Sequence, residues 1–147
     1  MRAWIRRDIR GKAGETKMRA PYKILIGDRN GHVRDFLKRE LAAEGYQVKL
    51  AGDGREVLAS IASDNPPDLL IMDLLLPFVD GLLILEKLKK CACHVPVVIY
   101  TSLTEYQDNP IVKNADAFIE KDGQIECLKT AVLEILNKHR PAALAQP

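Results

Sequence analysis

Four side chains in this sequence have types and positions that suit phosphoryl chemistry. Asp28 follows the apolar run Ile24-Leu25-Ile26, and Asp73 follows Leu69-Leu70-Ile71-Met72. Thr101 ends the run that begins at Val95, and Lys121 comes just after Ala117-Phe118-Ile119. Two carboxylates make a hard, oxygen-rich site suited to Mg²⁺, which prefers one or two carboxylates together with waters and phosphate oxygens. A carboxylate is also a nucleophile toward phosphorus and forms an aspartyl phosphate. That transfer needs charge neutralised on the phosphoryl oxygens, which a metal ion, an ammonium and a hydroxyl supply through position and electrostatics.

The elements that must hold these groups can be read from the hydrophobic pattern. Ile24-Leu25-Ile26, Leu69 to Met72, Val95 to Tyr100 and Ala117-Phe118-Ile119 are short continuous apolar runs, the pattern of strands buried on both faces. Tyr46 to Leu50 alternates, as an edge strand does. Between these runs, Val33, Phe36, Leu37 and Leu41 recur at helical spacing, and Gly45 closes that helix. Val57, Leu58 and Ile61 predict a second helix, stopped near Asn65-Pro66-Pro67. Leu82, Leu85 and Leu88 predict a third, with Asp80 as its N-cap. The stretch from Thr104 to Asn114 is weakly periodic and contains Pro110, so any helix there is short or broken. Ile125, Leu128, Val132, Ile135 and Leu136 give the clearest amphipathic helix. Strand and helix alternating five times predict an α/β fold, a five-stranded parallel sheet doubly wound with helices on both faces. In such sheets ligands bind beyond the carboxyl ends of the strands, where the strand order reverses. All four singled-out residues are expected at that rim.

Composition narrows the alternatives. The 147 residues are 47% hydrophobic and 29% charged, which is ordinary for one globular domain with a core of its own. No apolar run approaches the roughly 18 residues of a bilayer span. The three cysteines show no pairing framework, and the start lacks a signal-peptide core, so a cytoplasmic location is expected. The net charge of +2 averages two unlike parts. Residues 1–22 hold 7 basic and 2 acidic side chains, leaving 15 basic and 18 acidic for the rest. The expected organisation is a basic, flexible arm over 1–22, a folded domain over 23–139 and a loose tail over 140–147. The mildly acidic body argues against nucleic acid as a partner.

The order and spacing of these segments resemble the receiver domain of bacterial two-component response regulators, the chemotaxis-regulator-like, flavodoxin-like fold. The matching stretches are Lys23-Ile-Leu-Ile-Gly-Asp28, Pro67-Asp-Leu-Leu-Ile-Met-Asp73-Leu-Leu-Leu-Pro77 with Asp80-Gly81, Pro96-Val-Val-Ile-Tyr-Thr101-Ser102 and Ala115-Asp-Ala-Phe118-Ile-Glu-Lys121. The resemblance implies Asp73 as phosphoacceptor. It implies Asp28, Asp73 and the backbone carbonyl of Leu75 as protein ligands of Mg²⁺. Thr101 and Lys121 would bind the phosphoryl group, and Phe118 holds the family's aromatic switch position. It further implies a histidine kinase or phosphotransfer protein as donor and a downstream protein as reader.

Three departures stand out. The family's acidic pair is here Asp28-Arg29, which is expected to weaken Mg²⁺ binding and sets a cation where it can pair with Asp28 or Asp73. Asp122 follows Lys121 where the family usually has Pro. The segment around Pro110 predicts a trimmed fourth helix, on the family's usual output face.

Plainer readings exist for each residue. Asp73 alone would pass for a cap or a loop charge, Thr101 and Lys121 for solvated groups, and Phe118 for core. Cys91-x-Cys93-His94 lacks a fourth metal ligand at finger spacing. Gly27-Asp28-Arg29-Asn30-Gly31 lacks the spacing of a phosphate-cradling glycine loop. Met18 is a candidate alternative start, and the other reading of the arm is an acidic or nucleic-acid partner. At the level of function, the expectation is a stand-alone receiver that switches by phosphorylation rather than a metabolic enzyme. The alternative is a degenerate, phosphorylation-independent receiver serving as an interaction scaffold. A small aspartate-nucleophile phosphatase is the third reading, but it would need an Asp where Leu75 stands.

Overall fold

In a computed structural model of the chain, residues 3–5, 21–91 and 94–139 are described. The apolar runs form strands β2 (Lys23–Gly27), β4 (Leu69–Met72), β5 (Val97–Thr101) and β6 (Ala117–Glu120), and the alternating segment forms β3 (Gln47–Ala51). Four helices connect or follow them: α1 (Gly31–Ala42), α2 (Gly54–Ile61), α3 (Gly81–Lys90) and α4 (Ile125–His139). The sheet order is β1-β6-β5-β4-β2-β3, with β1 at Ala3–Ile5. All neighbours from β6 to β3 pair in parallel.

The continuous apolar character of the central strands follows from burial on both faces. Side chains alternate across the sheet. Ile24, Ile26 and Ile71 pack with Leu37 and Leu41 of α1 and Val132 and Ile135 of α4. Leu25, Leu70 and Met72 pack on the opposite face with Val57 of α2 and Ile84 and Leu85 of α3. Burying a side chain of this size contributes about 1.5–3 kcal/mol relative to exposing it. β3 stays half-exposed because it is an edge.

Helix starts are written into the sequence by short polar side chains that accept the otherwise unpaired first amides. Asn30 accepts from the His32 and Val33 amides, Asp53 from Glu56, and Asp80, the expected cap, from Leu83. Gly45 closes the end of α1 with φ at 97°, a conformation side chains resist.

The segment around Pro110, expected to hold only a short or broken helix, folds as two 3-10 turns, Thr104–Tyr106 and Val112–Asn114. Proline lacks the amide that a continuing helix needs there. Within the stretch 1–22 expected as a flexible arm, Ala3–Ile5 forms a sixth, antiparallel strand on the outer edge of β6. The triplet Ala3-Trp4-Ile5 is apolar throughout, and its short length hides it from pattern reading. Residues 6–20, including Met18, and the tail 140–147 lie outside the described residues.

The start of α2 is locked against the loop that follows β4. The Gly54 amide donates to the Pro77 carbonyl at 3.0 Å, and a Cβ at Gly54 would sit 1.9 Å from the Val79 oxygen. Gly54→Ala is expected to cost about 2–3 kcal/mol by overpacking, read as a lower urea midpoint, and an unchanged midpoint contradicts this packing.

Candidate functional site

The parallel sheet brings the carboxyl ends of β2, β4, β5 and β6 to one rim. The strand order reverses between β2 and β4, because β2 continues to β3 on one side while β4 leads to β5 on the other. Asp28 and Asp73 therefore stand side by side at the switch point. Backbone bonds hold each at its strand end: the Asp28 amide donates to Ala51 at 3.1 Å and the Asp73 amide to Gly27 at 3.0 Å. The Lys121 amide donates to Thr101 at 3.0 Å, which ties the ends of β5 and β6 together.

The side chains converge. Lys121 Nζ lies 2.7 Å from Asp28 Oδ2 and 2.8 Å from Asp73 Oδ2. The Thr101 hydroxyl donates to Asp73 Oδ1 at 2.6 Å and itself accepts the Leu103 amide at 3.2 Å. The Leu75 amide reaches Asp73 Oδ1 at 3.4 Å, and Asn30 donates to Asp28 Oδ1 at 2.8 Å. Asp28, Asp73 and Thr101 are all buried, with relative exposures of 1%, 6% and 0%. Burial alone would depress the Lys121 ammonium, but hydrogen bonds and charge from Asp28 and Asp73 outweigh it and raise its pKa above the ordinary 10.5. The Tyr100 phenol, whose hydroxyl donates to the Lys121 carbonyl at 3.5 Å, is pushed up by burial, with Lys121 pulling it down and Asp28 pushing it up.

All of the singled-out residues fall at or near this rim except Phe118, which is fully buried one layer below, in the cluster containing Ile99, Val112 and Ala115. Arg29 does not take the role sketched for it. It is exposed, and among the described residues it makes no ion pair with either aspartate; Lys121 holds that place. The reason is geometric, since Arg29 lies on the turn leaving β2 whereas Lys121 ends a strand aimed at the rim.

Three residues at the site were missed by sequence reasoning. Arg34 donates to the Asp28 carbonyl from one turn into α1. Phe78, in the loop after Asp73, has φ at 67° and is 72% exposed. The Arg55 guanidinium lies 3.5 Å from its ring centroid, a cation–π contact. A non-glycine residue in this conformation is uncommon and gathers at functional loops. No local sequence signal marks it, because the conformation is imposed by the loop's closure on Gly54.

Elsewhere, Cys91 is disulfide-bonded and Cys127 free, a pairing that the odd cysteine count, read as showing no pairing framework, did not mark. A bonded sulfur is no metal ligand, so the reading of Cys91-x-Cys93-His94 as a metal site loses a member; Cys93 is outside the described residues. Among the described residues no group of three or more metal-ligating side chains is assembled. A cavity of about 470 Å³ opens at the other end of the sheet, beside Lys23, Gln47 and Asn65, away from the carboxylates. Among the described residues no helix is long and apolar enough to cross a membrane.

Comparisons with known proteins agree with this architecture. Residues 24–133 match the response regulator receiver domain family. Response regulator MprA of Mycolicibacterium vanbaalenii is 32% identical over 123 residues, covering 82% of this chain and 53% of that protein. MprA of Mycobacterium bovis is also 32% identical, over 84% of this chain and 54% of its own length. The chain thus spans about half the length of the curated relatives it matches, which leaves its stand-alone status unsupported. Among solved structures, the regulator TrrA of Thermotoga maritima, in complex with Mg²⁺-BeF, superposes with a TM-score of 0.73 at 29% identity, covering 78% of this chain and 98% of its own. The receiver domain of a Luxo repressor protein from Vibrio parahaemolyticus gives a TM-score of 0.77 at 25% identity, covering 86% and 98%. With its doubly wound sheet and its match over most of its length, this chain belongs to the response regulator receiver domain family.

Proposed function

We propose that this receiver accepts a phosphoryl group on Asp73 from a histidine kinase or phosphotransfer protein and signals through its altered surface to a partner protein in the cytoplasm. The observation that carries this reading is the convergence of Thr101 and Lys121 on the two oxygens of one buried carboxylate. In the transfer an Asp73 oxygen forms the new P–O bond as the donor's P–N bond breaks. The Thr101 hydroxyl and the Lys121 ammonium are placed to meet the phosphoryl oxygens, stabilising their charge through preorganised position.

The donor set suits Mg²⁺. Asp28 and Asp73 offer buried hard oxygens, and Leu75 adds its carbonyl two residues beyond Asp73. When bound, the ion would neutralise phosphoryl charge. Lys121 pairs with both carboxylates, so a divalent cation has to compete with a tethered ammonium. Arg29 adds a positive charge at the mouth where the family usually has a ligand. This favours one second reading, a receiver that keeps the fold as an interaction scaffold without phosphorylation.

Incubation with Mg²⁺ and acetyl phosphate, followed by intact mass, separates the two. Phosphotransfer predicts one added phosphoryl group, absent in Asp73→Asn. No adduct at any Mg²⁺ concentration, or with any kinase tried, favours the scaffold. Arg29→Asp is expected to tighten Mg²⁺ binding about tenfold, which corresponds to about 1.4 kcal/mol, and unchanged affinity by calorimetry would mean that Arg29 does not reach the site.

The raised Lys121 pKa sets the sign of a pH effect. A group with a raised folded pKa stabilises the fold below its unfolded value and loses that contribution as pH climbs through the folded one. The stability difference between wild type and Lys121→Met should therefore hold steady from neutral pH to the ordinary lysine value of 10.5 and shrink only above it. Urea midpoints across that range check this, and a difference already shrinking at neutral pH contradicts it.

A further inference from the structure

We propose that β1 is a displaceable cover on the outer edge of β6, and that its hold on that edge is coupled to the ionic contact of Lys121 with Asp73. The inference stands whether or not Asp73 is phosphorylated, because it concerns the strand that carries Lys121.

β6 is held from two directions. At its carboxyl end Lys121 follows directly, with its amide on Thr101 and its ammonium on both aspartates. Along its outer edge it pairs with β1, Trp4 opposite Phe118 and Ile5 opposite Ala117. Directly opposed residues of paired strands share a face. Trp4 therefore lies on the Phe118 side and packs with that cluster, while Ile5 packs against the cluster on the other side. Phe118, fully buried, thus sits three residues from Lys121 and beside Trp4.

The hold of β1 is the least complete in the sheet. It has three residues, one exposed and two half-buried. The Trp4 indole Nε1 is buried without a hydrogen-bond partner among the described residues. So is Gln107 Oε1, in the segment just after Tyr106, which packs on the same cluster as Trp4. One is an orphaned donor and the other an orphaned acceptor, and buried polar groups are normally paired. β1 therefore leaves a buried indole donor unsatisfied where it packs on the Phe118 cluster. Residues 6–22 join β1 to β2, and a chain of 17 residues reaches at most about 56 Å, well beyond the roughly 19 Å of four strand spacings. Departure of β1 bares the outer backbone groups of Ala117–Glu120, an edge to which another extended segment can add. By linkage, if the Lys121 contact favours bound β1, then bound β1 favours that contact to the same extent.

Trp4 is the only tryptophan, so its emission and its quenching by acrylamide report β1 alone. Lys121→Gln and Asp73→Asn, checked for fold by circular dichroism, are expected to raise the quenching constant about twofold. Unchanged quenching in a folded variant overturns the coupling. The reciprocal measurement uses Trp4→Ala and amide hydrogen exchange. The Lys121 amide bonds to Thr101 on the side away from β1, so the mere loss of an edge strand leaves it protected. Coupling predicts that its exchange accelerates about fivefold or more, and an unaltered rate overturns the proposal even if both site variants fail to fold.

Discussion

The site depends on one ammonium placed between two buried carboxylates. Asp28 and Asp73 come within reach of a single cation only because β2 and β4 are neighbours in parallel register, with Gly27 opposite Met72. Lys121 arrives between them because β6 runs parallel to β5 and ends level with it, Glu120 opposite Thr101. Buried charges without a partner are costly, and removing one member of such a set typically costs about 3–5 kcal/mol. The rim therefore holds its shape as an electrostatic unit, with Thr101 supplying the remaining hydrogen bond to Asp73.

The loop that follows Asp73 is anchored to the start of α2. Gly54 locks the segment Pro77–Val79 against α2, and Arg55 from the same helix covers the ring of Phe78. The strained conformation of Phe78 is maintained by contacts on both sides of it. Phe78 is exposed beneath the Arg55 guanidinium, and Arg29 is exposed on the turn that leaves β2.

Most of the fold is legible in the sequence because burial on both faces writes continuous apolar runs, and because Asn30, Asp53 and Asp80 mark the helix starts. Asp28, Asp73, Thr101 and Lys121 are legible for a related reason: each polar residue closes an apolar strand where nothing in folding demands it. Other features are written only in three dimensions. A strand of three residues, Ala3–Ile5, has too few positions to show a period. The left-handed conformation of Phe78 lies in a loop closed on Gly54, about 25 positions earlier in the chain. The exclusion of Arg29 from the carboxylates follows from the direction in which the chain leaves β2. What Pro110 announces locally, the absence of a helix, proves correct because no tertiary contact overrides a missing amide.

Asp73 is the one nucleophile proposed for this receiver, and borohydride reduction after phosphoryl loading tests this most directly. An acyl phosphate on aspartate is reduced to homoserine, which peptide mass mapping locates by residue. The expected result is conversion at residue 73 alone, dependent on Mg²⁺. Conversion at Asp28 or another carboxylate, or at none, would contradict it.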